Sequence, residues 1–195
     1  QKKIQDLNNG IIRIYEPGLD ELVKKNYKAG RLNFSTDLKN AVQKSNIIFV
    51  CVGTPTKKNG HSADLSQIYK VVKKIRQYIR QFKIIINKST VPITTGDDIE
   101  KLISQKRNKK LFEVVSNPEF LREGEAIRDF MYPDRIVVGT ENSRTNVIIK
   151  NLYDPLIKRG SKYLNTSRRA AELIKYASNA FLVTKIGFIN EISNL

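Results

Sequence analysis

Short apolar runs alternate along this chain with segments in which apolar residues recur at helical spacing. The runs predict strands, since each is too short for a helix and is bounded by polar or turn-forming residues. The predicted strands cover 32–35, 46–52, 82–86, 111–115, 135–139 and 162–164. Helical spacing predicts helices over 1–7, 19–28, 37–43, 94–105 and 142–156, and one from Asp64 with apolar positions as far as Ile79.

Strand and helix in this repeated order are typical of an α/β fold with a parallel sheet and helices on both faces. The run 46–52 is almost wholly apolar, as expected for a central parallel strand that is covered on both sides. Cys51, the only cysteine, lies within this run. We therefore expect it to be a small buried hydrophobic residue without a disulfide partner.

The C-terminal stretch predicts one long helix that Ser167 caps. Its apolar face is wide, so we expect the helix to be buried against more than one partner. The positions on this face are Leu173, Ile174, Ala177, Phe181, Leu182, Ile186, Ile189 and Ile192. No stop signal accompanies Leu195, and the helical pattern at residue 1 has no Met before it, so we expect a chain cut from a longer one.

Three predicted strands end in small hydroxyl-bearing or turn-forming residues. These ends are 53–55, 89–92 and 116–118. Hydroxyls, backbone amides and helix N-termini at the carboxyl edge of a parallel sheet suit phosphate and ribose binding. Each end taken alone could be an ordinary cap, whereas three on consecutive strands favour a nucleotide site.

Two pairs of polar residues have a spacing of four. Glu119 and Glu123 stand where a strand ends and a helical pattern begins, with Ala126, Ile127 and Phe130 as its apolar face. They share one helical face if the turn is already helical there; alternatively one of them only complements a helix N-terminus. Lys175 and Asn179 share a face of the long helix, where a crowded lysine could bind an anion or act as a base, or simply be exposed.

Composition adds little to this picture. The chain is 40% hydrophobic and has a formal net charge of +16, which favours anionic partners. Because Lys, Asn and Ile are all abundant and the basic residues are spread over many helices, we do not expect nucleic-acid binding. No apolar run is long enough to span a membrane and no signal peptide is visible, so we expect a cytoplasmic protein, and we expect no metal site.

The motifs, taken together and in order, resemble those of the UDP-glucose/GDP-mannose dehydrogenase family over almost the whole chain. They are Tyr15-Glu-Pro-Gly-Leu19, Gly53-Thr-Pro-Thr56, Ser62-Ala-Asp-Leu65, Lys88-Ser-Thr-Val-Pro92, Ser116-Asn-Pro-Glu-Phe-Leu-Arg-Glu-Gly124, Tyr132-Pro-Asp-Arg135 and Glu172-Leu-Ile-Lys-Tyr-Ala-Ser-Asn-Ala-Phe181. The resemblance implies a partial Rossmann-like sheet, then a small α/β extension and a long C-terminal helix. It also implies an NAD-binding domain over 1–165 and the start of a central linking and dimerisation helix over 166–195.

The resemblance further implies NAD-dependent oxidation of the sugar C6 alcohol of UDP-glucose to a carboxylate, through a thioester on a cysteine. It gives Lys175 and Asn179 the role of stabilising charge on the oxygen at C6, and Glu119 that of acid and base with a water that Thr90 helps to hold. The implied cofactor contacts are Val52, Gly53, Thr54, Pro55, Thr56, Ser89, Thr90 and Glu123. The implied substrate contacts are Glu119, Phe120, Leu121, Arg122, Glu123, Lys175 and Asn179.

The chain also departs from the family pattern. It has no Gly-x-Gly-x-x-Gly turn, and Cys51 precedes the motif loops, whereas the family's catalytic cysteine follows the central helix. We therefore expect these 195 residues to be inactive alone and the full-length protein to be a homodimer. The alternative substrates UDP-N-acetylmannosamine and GDP-mannose remain open.

Overall fold

The computed structural model describes residues 2–58, 60 and 62–194, and its elements follow the predicted alternation. They are α1 (Lys2–Asn8), α2 (Leu19–Lys28), α3 (Leu38–Lys44), β1 (Ile47–Val50), α4 (Ser66–Tyr78), β2 (Lys83–Asn87), α5 (Thr95–Ser104), a 3₁₀ turn (Lys109–Leu111), β3 (Phe112–Ser116), α6 (Ala126–Met131), β4 (Arg135–Gly139), α7 (Ser143–Ile157), β5 (Lys162–Thr166) and α8 (Arg168–Ser193).

The five strands form one sheet in the order β1-β2-β3-β4-β5. The pairs β1/β2, β2/β3 and β4/β5 are parallel, whereas β3 and β4 run antiparallel and meet only at Ser116 and Gly139. The α/β class and the dominance of parallel pairing are thus confirmed. The antiparallel step was not predicted, because the alternation of apolar runs carries no information on strand direction.

Helices cover both faces of the sheet, and the alternation of side chains along the strands explains why. Ile85 of β2 points into a core shared with α3, α4 and α5, while Ile84 and Ile86 point into a second core shared with α7. All three are almost completely buried, and burying a side chain of this size stabilises the fold by about 1.5–3 kcal/mol. The two cores hold the sheet rigid behind its carboxyl edge.

Side-chain caps begin several helices where the sequence predicted them. Asp37 accepts a hydrogen bond from Asn40 N at 3.0 Å, and Ser167 accepts one from Ala170 N at 3.1 Å. Each satisfies a backbone donor that has no partner inside its helix.

The N-terminal half of α8 packs closely on the sheet. A Cβ placed on Gly139 would lie 2.7 Å from Arg168 Cα and 2.7 Å from Ala171 Cβ, so only glycine allows this approach. Buried residues of the helix are Ala171, Glu172 and Lys175, and from Tyr176 onward its apolar side chains are largely exposed.

Three local predictions are wrong. Residues 32–35 form no strand, since this short segment pairs with no other strand among the described residues. Helix α6 buries none of its residues, so Ala126, Ile127 and Phe130 form no core face. Cys51 lies beyond the end of β1, and the residue is exposed instead of buried within the strand.

Candidate functional site

The turns after β1 and β2 meet at the carboxyl edge of the sheet, because these two strands are parallel neighbours. Ser89 Oγ accepts a hydrogen bond from Val52 N at 3.1 Å and donates one to Val52 O at 2.7 Å. Thr54 Oγ1 donates to Thr90 O at 2.8 Å. Both hydroxyls therefore join the two turns and fix the edge at which nucleotides bind in α/β sheets.

A cleft of about 860 Å³ opens above these turns. Its floor is formed by Val52, Gly53, Thr54, Ser89 and Thr90, so five of the eight residues predicted to contact the cofactor share one surface. The other walls are mainly apolar and are formed by Phe49, Leu121, Phe130, Leu152, Pro155 and Leu156. A mainly apolar cleft with a floor of small polar residues fits a flat, partly polar ring.

The remaining predicted cofactor contacts lie outside the lining of this cleft. Thr56 pairs with Ala63 in an isolated bridge, and Pro55 O accepts a hydrogen bond from Asp64 N at 2.7 Å. Glu123 is exposed. The turn at 119–123 is not helical. The condition under which Glu119 and Glu123 would share a helical face is therefore not met.

Glu119 and Lys175 are brought together from two distant segments. Lys175 Nζ lies 3.2 Å from Glu119 Oε1, and the lysine side chain is only 8% exposed, whereas that of Glu119 is 33% exposed. The second carboxylate oxygen of Glu119 accepts a hydrogen bond from Leu121 N at 2.5 Å. Glu119 also lines the cleft, so a buried ammonium and an accessible carboxylate stand side by side at its edge.

Of the other predicted substrate contacts, Phe120 and Leu121 lie near the ion pair or the cleft, whereas Asn179 is exposed. Two cations lie near the ring of Phe120, with Arg135 Cζ 4.6 Å and Lys175 Nζ 5.1 Å from its centroid. Leu121 lines the cleft. Asn179, one helical turn beyond Lys175, is exposed.

Arg122 faces Asp129 and not the cleft of the cofactor contacts. Its Nη2 and Nε donate to the two carboxylate oxygens of Asp129 at 2.7 and 3.0 Å. Hydrogen bonds from the Arg122 side chain and backbone lower the pKa of Asp129 to about 2. This pair closes the loop that joins Glu119 to α6.

Glu16 holds the same loop from a distant part of the chain. Its carboxylate accepts hydrogen bonds from Gly124 N at 2.9 Å and Ala126 N at 3.2 Å. Ala126 N belongs to the first turn of α6 and has no partner within the helix, and Gly124 N belongs to the turn just before it. Glu16 belongs to a motif of the family pattern, but no contact was predicted for it from the sequence.

Sequence reasoning also missed a polar network beneath the cleft. Asn117 is buried and its Oδ1 accepts from Tyr153 OH at 2.6 Å and from Lys88 Nζ at 3.3 Å, while its Nδ2 donates to Val137 O at 2.7 Å. Burial lowers the pKa of Lys88 and raises that of Tyr153 to about 12. Lys88 and Asn117 lie within two of the motifs of the family pattern, so the sequence could have indicated them. Tyr153 lies in no motif, and nothing in the sequence indicated it.

Cys51 lines the cleft beside Lys88. The residue as a whole is exposed, but its neighbours desolvate the thiol enough to raise its pKa, against the lowering effect of the Lys88 ammonium. A thiol with a raised pKa is a poor nucleophile at neutral pH. Cys51 is therefore a poor candidate for the residue that carries a covalent intermediate.

Clusters of metal-ligating side chains and membrane-spanning helices are both absent from the described residues. Nowhere in 2–58, 60 and 62–194 do three or more His, Cys, Asp or Glu side chains come together as possible metal ligands. In the same part of the chain, no helix combines the length and apolar character that crossing a bilayer requires.

A parallel-dominated sheet with a hydroxyl-rimmed cleft at its carboxyl edge defines a dinucleotide-binding domain. Residues 1–157 match the NAD binding domain of the UDP-glucose/GDP-mannose dehydrogenase family, and residues 169–195 match that family's central domain. The chain belongs to the UDP-glucose/GDP-mannose dehydrogenase family.

Individual relatives agree with this assignment. The UDP-glucose 6-dehydrogenase of Rhizobium meliloti (strain 1021) is 49% identical over 195 residues, which cover 99% of this chain and 45% of the relative. Among solved structures, a ternary complex of GDP-mannose dehydrogenase from Pseudomonas aeruginosa superposes with a TM-score of 0.92 at 36% identity. A UDP-glucose dehydrogenase from Pyrobaculum islandicum superposes with a TM-score of 0.91 at 37% identity. Each of these two matches covers 98% of this chain and 44% of the solved structure.

Proposed function

We propose that this chain acts, as part of a longer enzyme, in the NAD-dependent oxidation of UDP-glucose to UDP-glucuronate by two successive hydride transfers. The observation that carries the proposal is the ion pair between Lys175 and Glu119 at the edge of the cleft that Ser89 and Thr90 help to line. The family assignment and the curated UDP-glucose 6-dehydrogenase relatives support the choice of substrate.

The residues of the cleft fit the cofactor. Val52, Gly53 and Thr54 from one turn and Ser89 and Thr90 from the next would hold its nicotinamide end. Pro55, Thr56 and Glu123, which lie outside the lining of the cleft, would contact other parts of the cofactor. When bound, NAD accepts the hydride released from the sugar carbon. The apolar wall excludes water from the transfer, which protects the reacting carbon from side reactions.

Lys175 supplies positive charge where the sugar oxygen becomes negative. Its ammonium is buried and is oriented by Glu119 on one side and the ring of Phe120 on the other. A preorganised donor in such a dry site stabilises an oxyanion far more than the same donor in water. Asn179, one turn further along α8, would add an amide donor to the same oxygen.

Glu119 supplies the acid and base. It is the more accessible member of the pair, so its carboxylate can take a proton from a water molecule and return it. Thr90, across the cleft, would help to hold that water. Phe120, Leu121 and Arg122 would form the neighbouring wall of the UDP-sugar site. The thiol that carries the acyl group would come from outside these residues, because the family's catalytic cysteine follows the central helix whereas Cys51 precedes the motif loops.

The proposed organisation follows from the same residues. We assign 1–165 to the NAD-binding domain and 166–195 to the start of a central helix that joins it to the rest of the enzyme. The apolar side chains exposed on α8 beyond Tyr176 would be covered in a homodimer of the full-length protein. We place the enzyme in the cytoplasm, where NAD and nucleotide sugars are available.

GDP-mannose is the second candidate substrate. The solved GDP-mannose dehydrogenase superposes on this chain as well as the UDP-glucose enzyme does, so the fold does not separate the two sugars. The test is to assay the full-length protein with UDP-glucose, GDP-mannose and UDP-N-acetylmannosamine by NADH formation. We expect two NADH per UDP-glucose and little turnover of the others; a preference for either of the others would overturn the proposed substrate.

Residue roles are tested in the same assay. Lys175→Met should lower kcat by roughly a hundredfold or more while leaving the affinity for UDP-glucose nearly unchanged, because its charge is needed mainly in the transition state. Arg169→Gln, on the exposed side of α8, is the matched control and should retain full turnover. Unchanged kcat for the Lys175 variant would remove this residue from the chemistry.

A further inference from the structure

A carboxylate with no assigned role lies at the start of α8. Glu172 is 2% exposed, and its side chain accepts three hydrogen bonds. Thr94 N donates to Oε2 at 2.8 Å, Gly96 N donates to Oε1 at 2.8 Å, and Ser116 Oγ donates to Oε1 at 3.0 Å. A buried charge is stable only when it is satisfied in this way.

The partners of Glu172 belong to the three segments that carry the proposed reacting groups. Thr94 follows Thr90 by four residues on the turn that leads into α5. Ser116 is the last residue of β3, three residues before Glu119. Glu172 itself precedes Lys175 by three residues on α8, so the two side chains share a helix face.

The surroundings of Glu172 accommodate its carboxylate closely. The donors of Thr94 and Gly96 open helix α5 and have no partner within it, and Thr94 adopts a left-handed backbone with φ of 79°. A Cβ on Gly96 would lie 3.0 Å from Glu172 Oε1 and 3.1 Å from Ser116 Oγ. Glycine therefore leaves the space that the carboxylate occupies. Burial raises the pKa of Glu172, while the hydrogen bonds from Gly96, Ser116 and Thr94 oppose this effect.

We propose that Glu172 is a positioning residue that sets the distance of Lys175 from Glu119 and Thr90 by tying α8 to the turn before α5 and to the end of β3. The inference rests on the proposed function, because it concerns the same site. Without this carboxylate the first turns of α8 remain attached through Arg168, which pairs with Asp97 and Glu100. The helix then stays packed on the sheet, but the position of the Lys175 side chain relative to Glu119 and Thr90 is no longer fixed.

The test uses Glu172→Gln in the full-length enzyme. The carboxamide keeps the size of the side chain but replaces one acceptor by a donor that faces a backbone N–H. We expect kcat to fall by about tenfold to a hundredfold, since a displacement on the order of an ångström has an effect of this size. The KM for UDP-glucose should change by less than about twofold, because the contacts with the nucleotide are made elsewhere. Arg169→Gln is the control: it removes an exposed pair with Asp97 in the same turn of α8 and should leave kcat unchanged.

A double-mutant cycle separates positioning from general loss of structure. If Glu172 acts through Lys175, then Glu172→Gln added to Lys175→Met should lower the residual turnover by less than about twofold. A full additive loss in the double variant, or an unchanged kcat in the single one, would overturn the proposal. Should Glu172→Gln not fold, Ser116→Ala removes only one of the three hydrogen bonds and is subject to the same cycle.

Failure of this inference is distinguishable from failure of the proposed function. A wild-type enzyme that forms no NADH from any nucleotide sugar contradicts the proposed function and, with it, the role of Glu172. A wild-type enzyme that is active while Glu172→Gln keeps its kcat contradicts only the role of Glu172. Gly96→Ala changes the residue that donates to Glu172 and leaves Glu172 itself in place. We expect this variant to reproduce the loss of kcat, because its methyl group would displace the Glu172 carboxylate.

Discussion

Two substitutions that break the same ion pair should destabilise the protein unequally. Lys175→Met leaves the carboxylate of Glu119 without its cation, and Glu119→Gln leaves the ammonium of Lys175 without its anion. The two remaining charges differ in their access to water, since the Lys175 side chain is 8% exposed and that of Glu119 is 33% exposed. We expect Glu119→Gln to cost more stability than Lys175→Met.

The magnitudes follow from this difference in burial. Removing one partner of a fully buried ion pair costs about 3–5 kcal/mol, most of it from the charge that is left behind. The carboxylate left by Lys175→Met reaches water and keeps its hydrogen bond from Leu121 N, so we expect a cost of about 1 kcal/mol or less. The ammonium left by Glu119→Gln keeps only a neutral amide oxygen and the ring of Phe120, so we expect about 2 kcal/mol.

The assay is equilibrium unfolding in urea, followed by circular dichroism, on the wild-type chain and the two variants. Equal slopes with different midpoints would show a change in stability alone. In thermal unfolding the difference of about 1 kcal/mol corresponds to about 2–4 °C for a chain of this length. Arg169→Gln serves as the control, because its partner Asp97 is also paired with Arg168.

Equal costs, or a larger cost for Lys175→Met, would refute the reasoning. That result would mean that the Glu119 carboxylate is the less hydrated charge of the two. The proposed division of labour, in which Lys175 stabilises charge in a dry site while Glu119 exchanges protons with water, would then lose its physical basis.

Three further predictions concern the surroundings of the pair. Alkylation of Cys51 by a maleimide should slow about tenfold with NAD at about ten times its Kd, because the cofactor would cover the cleft. Mass spectrometry of the peptide that contains Cys51 measures the rate of alkylation. Equal rates with and without NAD would place the cofactor elsewhere. Glu16→Ala should cost about 1 kcal/mol, as for other lost helix caps, and raise the KM for the UDP-sugar, whereas Glu21→Ala, on the exposed face of α2, should do neither. Arg122 lowers the pKa of Asp129 to about 2. The stabilisation from this pair is therefore present above the unfolded pKa of 3.8 and is lost as the pH falls toward 2. An Arg122 side-chain NMR signal that stays constant over this pH range would contradict the pairing.

The sequence predicted those parts of the fold that depend on local pattern. The strands at 82–86, 111–115 and 135–139 are present with shifts of at most one residue at either end, because a buried strand needs only a short apolar run between turns. The segment 32–35 alternates apolar and polar residues, as a half-buried strand can, but forms no strand. A strand requires a partner, and that requirement is not encoded in the segment itself.

The candidate site was predictable only as far as its motifs extended. Lys175 and Glu119 were singled out from their spacing and their setting, and the structure brings them within 3.2 Å. Glu172 and Glu16 were not singled out, although each accepts more than one hydrogen bond at the site. A glutamate on a predicted helix or beside a turn is most simply explained as a solvated surface residue, and only the tertiary fold distinguishes a buried acceptor from an exposed one.

Glu16 and Glu172 both accept hydrogen bonds from loops that are distant in sequence, and the reason is physical. The loops at the carboxyl edge end in backbone N–H groups with no partner in their own helix, and a distant carboxylate satisfies them: Glu16 at the start of α6 and Glu172 at the start of α5. Each bond joins residues more than seventy positions apart in the chain. Ordering a loop costs conformational entropy of about 1–2 kcal/mol per residue, and charge-assisted bonds to these anchors offset part of that cost before a substrate arrives. Loss of one anchor should therefore loosen a single loop and lower turnover while the two hydrophobic cores, and with them the fold, stay intact.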